Sequence, residues 1–281
     1  MLYLIHRQQQ TQRYKQMTYF VDTLNKSPDL VEPAEQQAAI NQHYNSIANM
    51  VSAFAKGGLG KRGLIINGPA GGGKTEVVRQ TLDANSSKYH MLKGTLSAPE
   101  LFIRIYKHAK DPNQILVIDD TDVCFDDVEM ADILKAALDP SGGEMYYGKR
   151  SHYLRHDGVP QEFRCEGRII LISNKPLKVD TLSVKAQQRI KPVVDRCLYV
   201  PAGLNDAWTA VAMRLLYSVG RIRVLANSTV DVAVKDAIVD LITTEYKRFN
   251  GITFRSIQTC LDMYVVDPAN WRQLVIMSEG K

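Results

Sequence analysis

Short apolar runs alternate with amphipathic stretches through the middle of the chain. The runs predict strands at 63–67, 89–93, 115–119, 168–173 and 197–200, and the stretches between them predict helices at 75–82, 99–109, 128–138 and 181–190. Because these runs are apolar at nearly every position, rather than at every second one, both faces of the sheet must be covered. The pattern therefore predicts an α/β fold, with a parallel sheet and helices on both faces.

The pattern changes on both sides of this region. After residue 201 the strand signals stop, and helices are predicted at 205–225, 230–249 and 254–265. Before it, an amphipathic helix at 35–56 ends at Gly57 and Gly58, which suit a helix C-terminus. The residues ahead of this helix are Gln-rich and interrupted by prolines. We therefore expect three parts: an N-terminal arm and linker at 1–33, an α/β core at 34–203, and a small helical lid at 204–281.

A long segment at 142–166 interrupts the alternation between a predicted helix and a predicted strand. It is rich in Tyr, Arg, His and Gly, and a connection of this length inside a compact domain is usually functional. The runs 145–147 and 161–163 flank turn signals at Gly148 and Gly158. They predict a β-hairpin inserted into the core.

Composition limits the class of protein more than its function. The chain has 281 residues, of which 45% are hydrophobic and 23% charged, as in ordinary globular proteins. Disulfide-stabilised mini-proteins, collagens and coiled coils are excluded. The four cysteines are far apart and lack metal-ligand spacing, which favours reduced core thiols, and no apolar run is long enough to span a bilayer. We therefore expect a soluble, unexported, cytoplasmic protein without a membrane partner.

The segment 68–75, Gly-Pro-Ala-Gly-Gly-Gly-Lys-Thr, fits the pattern GxxxxGK[ST] and connects a predicted strand to a predicted helix. Glycines allow consecutive backbone N–H groups to converge on phosphate oxygens, and the N-terminus of the following helix adds partial positive charge. Lys74 should reach the β- and γ-phosphates, and the hydroxyl of Thr75 should bind Mg²⁺. The motif predicts a nucleoside triphosphate site formed by Gly68, Pro69, Ala70, Gly71, Gly72, Gly73, Lys74, Thr75 and Glu76.

Polar side chains also end two further predicted strands. Asp119 and Asp120 follow one apolar run, and Asn174 lies at the end of another. Asp119 should complete the Mg²⁺ site, and Asp120 should orient or activate the attacking water. Asp122 is close enough in sequence to remain an alternative to Asp120 as the base. The amide of Asn174 should hydrogen-bond to the water or to the γ-phosphate.

Taken in order, the glycine-rich loop, the Asp-Asp strand, the Asn strand and the helical segment resemble Walker A, Walker B, sensor 1 and the lid of AAA+ ATPases. The resemblance covers about residues 35–266. It implies ATP and Mg²⁺ as cofactors, ATP hydrolysis, and a homo-oligomeric ring of six subunits with shared active sites. One departure is that the usual Asp-Glu of Walker B is Asp-Asp here. The shorter side chain of Asp120 suggests slow turnover.

The resemblance also implies roles for three arginines. Arg196 precedes the last predicted core strand, where the family places an arginine that reaches the neighbouring subunit's nucleotide. Arg189, one or two helical turns earlier in the chain, is the alternative. Arg255 begins the last predicted helix, as the sensor 2 arginine does. Arginine suits both roles because it stays charged and its planar fork matches phosphate oxygens.

The Asp-Asp motif and the long hairpin are also similar to the core of viral superfamily 3 helicases, and the run from Lys93 to Asn174 resembles AAA+ ATPases of tailed phages. Such a phage protein would act in the host cytoplasm. In the helicases this hairpin carries basic residues that grip DNA. The net charge of +5 permits a polyanionic partner without requiring one. The resemblance implies that single-stranded or duplex DNA is bound, through phosphate contacts and base stacking, by Lys149, Arg150, His152 and Tyr147.

The sequence thus favours an ATP-driven DNA translocase or helicase, or a replication or recombination factor. A protein-remodelling or helicase-loading ATPase stays open, in which the N-terminal arm docks a protein partner and the hairpin pulls polypeptide. A nucleotide-dependent switch that turns over slowly also stays open. A small-molecule kinase fits least, because it would have no use for Asn174 or for an arginine acting between subunits.

Overall fold

The computed structural model describes residues 22–149, 152–175, 177 and 183–281, with only the backbone described at 152 and 153. These residues form two compact units, one of residues 46–203 and one that joins residues up to 45 with residues 204–281. The first boundary lies within helix α1 (Pro33–Lys56), later than the predicted start of the core. Residues 1–21 of the predicted N-terminal arm lie outside the described residues.

The unit of residues 46–203 is an α/β domain. Its strands are β1 (Gly63–Asn67), β2 (Tyr89–Leu92), β3 (Ile115–Asp119), β4 (Glu144–Tyr146), β5 (Glu162–Arg164), β6 (Arg168–Ser173) and β7 (Cys197–Pro201). Its helices, besides the end of α1, are α2 (Lys74–Ala84), α3 (Ala98–Ala109), α4 (Asp122–Asp126), α5 (Val128–Ala137), α6 (His152–His156) and α7 (Val184–Asp195).

The main sheet has five strands in the order β2-β3-β6-β1-β7, and every neighbouring pair is parallel. All five residues of β1 are buried, which requires apolar cover on both faces of the sheet. On one face the cover includes Leu101 and Phe102 of α3 and Leu134 of α5, all inaccessible to solvent. The predicted fold class is confirmed.

Because the strands are parallel, their carboxyl ends meet at one edge of the sheet. Asn67 of β1 is opposite Ser173 of β6, and Asp119 of β3 is opposite Ile172. The loops that follow these strands therefore emerge side by side, which is where parallel sheets bind ligands. This edge carries the glycine-rich loop, the two aspartates and the asparagine singled out in the sequence.

The predicted hairpin is present and is anchored to the domain. β4 and β5 pair antiparallel, with Met145 opposite Phe163. The short helix α6, which the sequence did not predict, lies between them. Leu154 and Val159 are buried in the same core as α3, and Lys107 of α3 pairs with Asp157 at 2.8 Å. The inserted segment is therefore packed against the body of the domain.

The second unit is helical from residue 206 onward. Its helices are α8 (Asp206–Ser218), α9 (Arg223–Ala226), α10 (Val232–Thr244), α11 (Ser256–Val266) and α12 (Trp271–Glu279). The predicted helix 205–225 is wrong in length, because Gly220 adopts a left-handed conformation (φ 68°) that ends the first helix and separates α9. α12 was not predicted. Ile238, Ile242, Phe249 and Ile257 form the centre of this unit's core.

The indole of Trp208 lies in a smaller cluster of the same unit, with Ile40 and Ala212, and its Nε1 donates to the carbonyl of Lys26 at 2.9 Å. All four cysteines, Cys124, Cys165, Cys197 and Cys260, are buried free thiols, as expected for core residues. Within the described part of the chain, no helix has the length and apolar character needed to cross a membrane.

Candidate nucleotide-binding site

The glycine-rich loop connects the end of β1 to the start of α2. Gly71 and Gly73 have φ angles of 71° and 81°, a left-handed conformation that residues with a Cβ rarely adopt. Gly68 is held against the chain after β7, where a Cβ would lie 2.7 Å from the nitrogen of Gly203. Left-handed residues within such a turn direct successive N–H groups into one concavity, and the first N–H groups of α2 lack helical acceptors. This backbone fits a phosphate chain.

Lys74, the first residue of α2, points into the same concavity. Its side chain is buried, and Nζ donates to the carbonyls of Gly68 and Pro69 at 2.7 and 2.6 Å and to Oδ1 of Asn174 at 2.8 Å. These three acceptors use all three N–H donors of the ammonium group, so a phosphate bound at this position would take the place of at least one of them. Glu76, in the first turn of α2, instead accepts from Arg79 at 2.7 Å on the helix surface.

The hydroxyl of Thr75 lies beside the carboxylate of Asp119. Oγ1 donates to the carboxylate, with both Oδ atoms 3.0 Å away. A hydroxyl next to a carboxylate is an oxygen donor pair of the kind that Mg²⁺ prefers. The two residues that the sequence assigned to a metal therefore lie together, and their donor atoms fit that ion.

Asp120 and Asp122 have different surroundings, which the sequence could not distinguish. Asp120 is exposed, has a φ of 60°, and accepts from Nδ2 of Asn174 at 2.7 Å. Asp122 accepts from Oγ of Ser173 at 2.7 Å and from the backbone N–H groups of Asn174 and Lys175 at 3.2 and 3.3 Å. Asp122 therefore fixes the end of β6, while Asp120 faces solvent beside Asn174.

Asn67 belongs to this edge and was not identified from the sequence. Its buried side chain donates to the carbonyl of Lys175 at 2.6 Å and accepts from the hydroxyl of Tyr199 at 2.8 Å. It thereby connects the ends of β1, β6 and β7. Burial raises the pKa of Tyr199, which keeps its hydroxyl protonated as a donor. A polar residue ending a strand was the only sequence signal, and it is common in turns.

Arg196 lies at the amino-terminal ends of the strands, whereas the glycine-rich loop lies at their carboxyl ends. It ends α7 and directly precedes β7, whose first residue, Cys197, is opposite Gly63 at the start of β1. One strand of five residues, about 16 Å at 3.3 Å per residue, therefore separates it from the loop. Its guanidinium donates to the carbonyl of Pro192 at 2.8 Å and lies 3.5 Å from the carboxylate of Asp139.

The two other predicted arginines are placed differently. Arg189 lies in the middle of α7 and donates to the backbone carbonyl of Asp126, at the end of α4. Arg255 lies in the helical unit, at the residue before α11, and its side chain is exposed. Arg189 and Arg196 therefore both donate hydrogen bonds to carbonyl groups of their own chain.

Binding of DNA requires exposed side chains, and of the hairpin residues predicted for this role Lys149 is exposed, whereas Tyr147 is buried. The side chain of Lys149 is 72% exposed, with Nζ 2.5 Å from Glu129. Tyr147 is buried against Phe102 and donates its hydroxyl to Glu129 at 2.7 Å. Burial, followed by this hydrogen bond, raises the pKa of Tyr147. The prediction that Tyr147 stacks on bases is wrong, since the residue is only 5% exposed and its ring centroid lies 5.2 Å from that of Phe102 in the core.

Tyr146, the neighbouring residue, is the exposed ring, with 70% of its surface accessible. Alternation explains the error, because Tyr147 directly follows β4 and continues its pattern, in which Met145 is buried and Tyr146 is exposed. Arg150 lies outside the described residues, as does the side chain of His152.

Comparisons with known proteins give limited similarity. No protein-family model matches the chain. An uncharacterised 36.7 kDa protein of the nrdC-mobD intergenic region of enterobacteria phage T4 is 28% identical over 177 residues. The match covers 61% of this chain and 53% of the phage protein, so the chain spans about half the length of the curated relative it matches.

Two of the solved structures that match the fold of this chain are of Thermotoga maritima proteins. A RuvB mutant has a TM-score of 0.49 at 13% identity, over 86% of this chain and 70% of that chain. Domain III of the replication initiation protein DnaA has a TM-score of 0.45 at 13% identity, over 83% of this chain and 91% of that chain. Similarity at this level carries no conclusion about function.

Proposed function

We propose that this protein is an AAA+ ATPase that binds Mg·ATP at 68–75 and hydrolyses it within a ring of identical subunits. The observation that carries the proposal is the chain of hydrogen bonds from Lys74 through the amide of Asn174 to Asp120. It brings a phosphate-binding cation, a polar amide and an exposed carboxylate to the mouth of one glycine-rich loop.

The residues divide the chemistry among them. The loop N–H groups and Lys74 would bind the β- and γ-phosphates, and Thr75 with Asp119 would hold Mg²⁺, which supplies charge neutralisation at the phosphates. Asp120 would orient the attacking water and accept its proton, because its carboxylate is exposed and its one described partner is an amide N–H. Asn174 would hold that carboxylate and the ammonium group of Lys74 at fixed positions relative to each other.

The position of Arg196 supports the proposal that each active site is completed by a neighbouring subunit. It lies about a strand length from its own glycine-rich loop, so it would act only on a neighbouring subunit's nucleotide. An arginine supplied in this way contributes roughly 10³ to 10⁵ in rate where it has been measured. Arg255 would serve as sensor 2, and Arg189 remains the alternative finger.

We further propose that the substrate is DNA, contacted through the inserted hairpin in a phage-related replication or recombination function. The exposed ring of Tyr146 and the exposed ammonium group of Lys149 support this, because stacking and phosphate pairing together bind single strands with little sequence preference. The similarity to a phage T4 protein supports the phage origin.

A second candidate, a protein-remodelling or loading ATPase, is favoured by one observation. The lining of a groove of about 860 Å³ beside the hairpin includes four acidic residues, Asp126, Asp127, Glu129 and Asp132, together with the basic residue Lys149. Carboxylates would repel a phosphate backbone and attract a basic polypeptide. A protein partner bound through the N-terminal arm belongs to this candidate.

ATPase assays separate these possibilities. The purified chain should bind Mg·ATP, and its turnover per subunit should rise with protein concentration as rings assemble. Single-stranded DNA should increase turnover at low salt, and Lys149→Ala with Arg150→Ala should reduce that increase. A turnover per subunit that is equally high in a dilute monomer would contradict the ring. A turnover that does not change when DNA is added would favour a protein substrate.

A further inference from the structure

Lys93 is a second lysine at the edge of the sheet that carries the glycine-rich loop. It directly follows β2, whose last residue, Leu92, is opposite Ile118 of β3. Continuing this register places Lys93 beside Asp119, and its Nζ lies 3.8 Å from Oδ2 of that residue. Gly94, with a φ of 101°, turns the chain away immediately afterwards.

Asp119 therefore has cationic and hydroxyl neighbours on different elements. Thr75 of α2 donates to its carboxylate at 3.0 Å, and Lys93 approaches the same carboxylate from β2. The side chain of Asp119 is only 13% exposed, whereas that of Lys93 is 66% exposed. The carboxylate is thus fixed in place, and the lysine is the partner that can move away without disturbing the fold.

We propose that Lys93 is a positioning residue that competes with a divalent cation for Asp119. The inference rests on the proposed function, in which Asp119 binds Mg²⁺. A positive charge close to this carboxylate balances it, and the same charge repels a dication that approaches it. Lys93 therefore raises the Mg²⁺ concentration that the site requires, and it leaves the carboxylate to the metal when that concentration is reached.

The sequence offers matched control variants at the two ends of β2. Lys93→Met removes the charge and keeps most of the apolar side chain. Lys88→Met makes the same change in net charge at the other end of β2, at an exposed residue away from the carboxyl edge. Lys93→Arg keeps the charge beside Asp119.

The experiment titrates Mg²⁺ into the full chain with a fluorescent, non-hydrolysable ATP analogue and records binding. Lys93→Met should lower the half-saturating Mg²⁺ concentration by about threefold to tenfold at low ionic strength, and the difference should shrink as salt screens the charge. Lys88→Met and Lys93→Arg should stay within about twofold of the wild type. In EDTA, all four proteins should bind the analogue equally.

An unchanged or higher half-saturating concentration in Lys93→Met would overturn the inference while leaving the nucleotide site intact. Weaker binding of the analogue in EDTA would also overturn it, because it would make Lys93 a direct phosphate ligand. If the wild-type protein fails to bind the analogue at any Mg²⁺ concentration, the proposed function itself is overturned, and this inference with it.

Discussion

Asn174 accepts a 2.8 Å hydrogen bond from the ammonium group of Lys74, although the two residues lie 100 positions apart in the sequence. The contact exists because β1 and β6 are neighbours, so that the residues following each strand meet at the same edge. The other end of the Asn174 amide donates to Asp120 at 2.7 Å. One side chain thus connects the phosphate-binding lysine to the proposed base.

Asn174→Ala should separate catalysis from binding. The substitution removes the donor to Asp120 and the acceptor for Lys74, but Lys74 keeps two backbone carbonyls as partners. We expect the turnover number to fall by about tenfold to a hundredfold, with nucleotide affinity within about threefold of the wild type. Steady-state ATPase rates and equilibrium binding measure the two quantities. A loss of affinity as large as the loss of turnover would contradict this division.

Asp120 and Asp122 should respond to substitution in opposite ways. Asp120→Asn keeps a residue type that tolerates the left-handed backbone at a φ of 60°. We expect unfolding free energy to change by less than about 0.5 kcal/mol and turnover to fall by roughly 10² to 10⁴. Urea unfolding and ATPase assays on the same preparation give both values.

Asp122→Ala is the matched comparison. It removes the acceptor for the buried hydroxyl of Ser173 and for two backbone N–H groups. The N–H of Lys175 keeps Oγ of Ser173 as an acceptor at 3.2 Å, but leaving the Ser173 hydroxyl and the Asn174 N–H without Asp122 should cost about 1 to 3 kcal/mol of unfolding free energy. If Asp122→Ala instead folds as stably as the wild type and lacks turnover, the base has been assigned to the wrong aspartate.

The sheet and the glycine-rich site could be predicted because each depends on local patterns. Apolar runs such as 115–118 specify buried strands, and the loop 68–75 carries its own conformational requirement in glycine. The errors arose where tertiary packing decides the outcome. Tyr146 and Tyr147 are the same residue type at adjacent positions, and only the pairing of β4 with β5 determines which of the two rings is buried. Lys93 could not be recognised either, because its neighbour Asp119 comes from another strand.

Tyr146→Ala should weaken binding of single-stranded DNA if the hairpin contacts it. Loss of one stacked base costs about 1 to 3 kcal/mol, which is roughly fivefold to a hundredfold in affinity. Tyr147→Phe is the control, because that ring is buried and only its bond to Glu129 is lost, at about 1 kcal/mol of stability. Fluorescence anisotropy with a short oligonucleotide measures affinity. Equal effects of the two variants would exclude stacking by Tyr146.

The stacked imidazoles of His90 and His108 should make the domain sensitive to acid. Their ring centroids are 3.7 Å apart, and burial, with smaller contributions from His90, Arg104 and Lys107, lowers the pKa of His108 from 6.5 to about 4. Between these pH values the unfolded chain binds more protons than the folded one, so stability should fall as pH decreases from about 6.5 to 4.

His108→Gln should reduce this pH dependence. The measurement is the difference in urea midpoint between pH 7 and pH 5, which should be smaller in the variant than in the wild type, because glutamine does not titrate. Since the variant also loses the ring contact with His90, its stability at pH 7 alone is uninformative. The same difference in both proteins would show that other groups account for the acid sensitivity.

Mixing two inactive variants tests whether Arg196 acts on a neighbouring subunit. Lys74→Ala damages the nucleotide pocket but keeps Arg196, and Arg196→Ala does the reverse. In an equimolar mixture that exchanges subunits at random, about one quarter of the interfaces should pair an intact pocket with an intact arginine, so about a quarter of wild-type activity should return.

A mixture of Lys74→Ala and Asn174→Ala is the control. Because both residues belong to one pocket, neither variant supplies an undamaged pocket, and the activity of the mixture should not exceed that of Asn174→Ala alone. Recovery in neither mixture would show that Arg196 does not complete a neighbour's site, and the same experiment with Arg189→Ala would then test the alternative arginine.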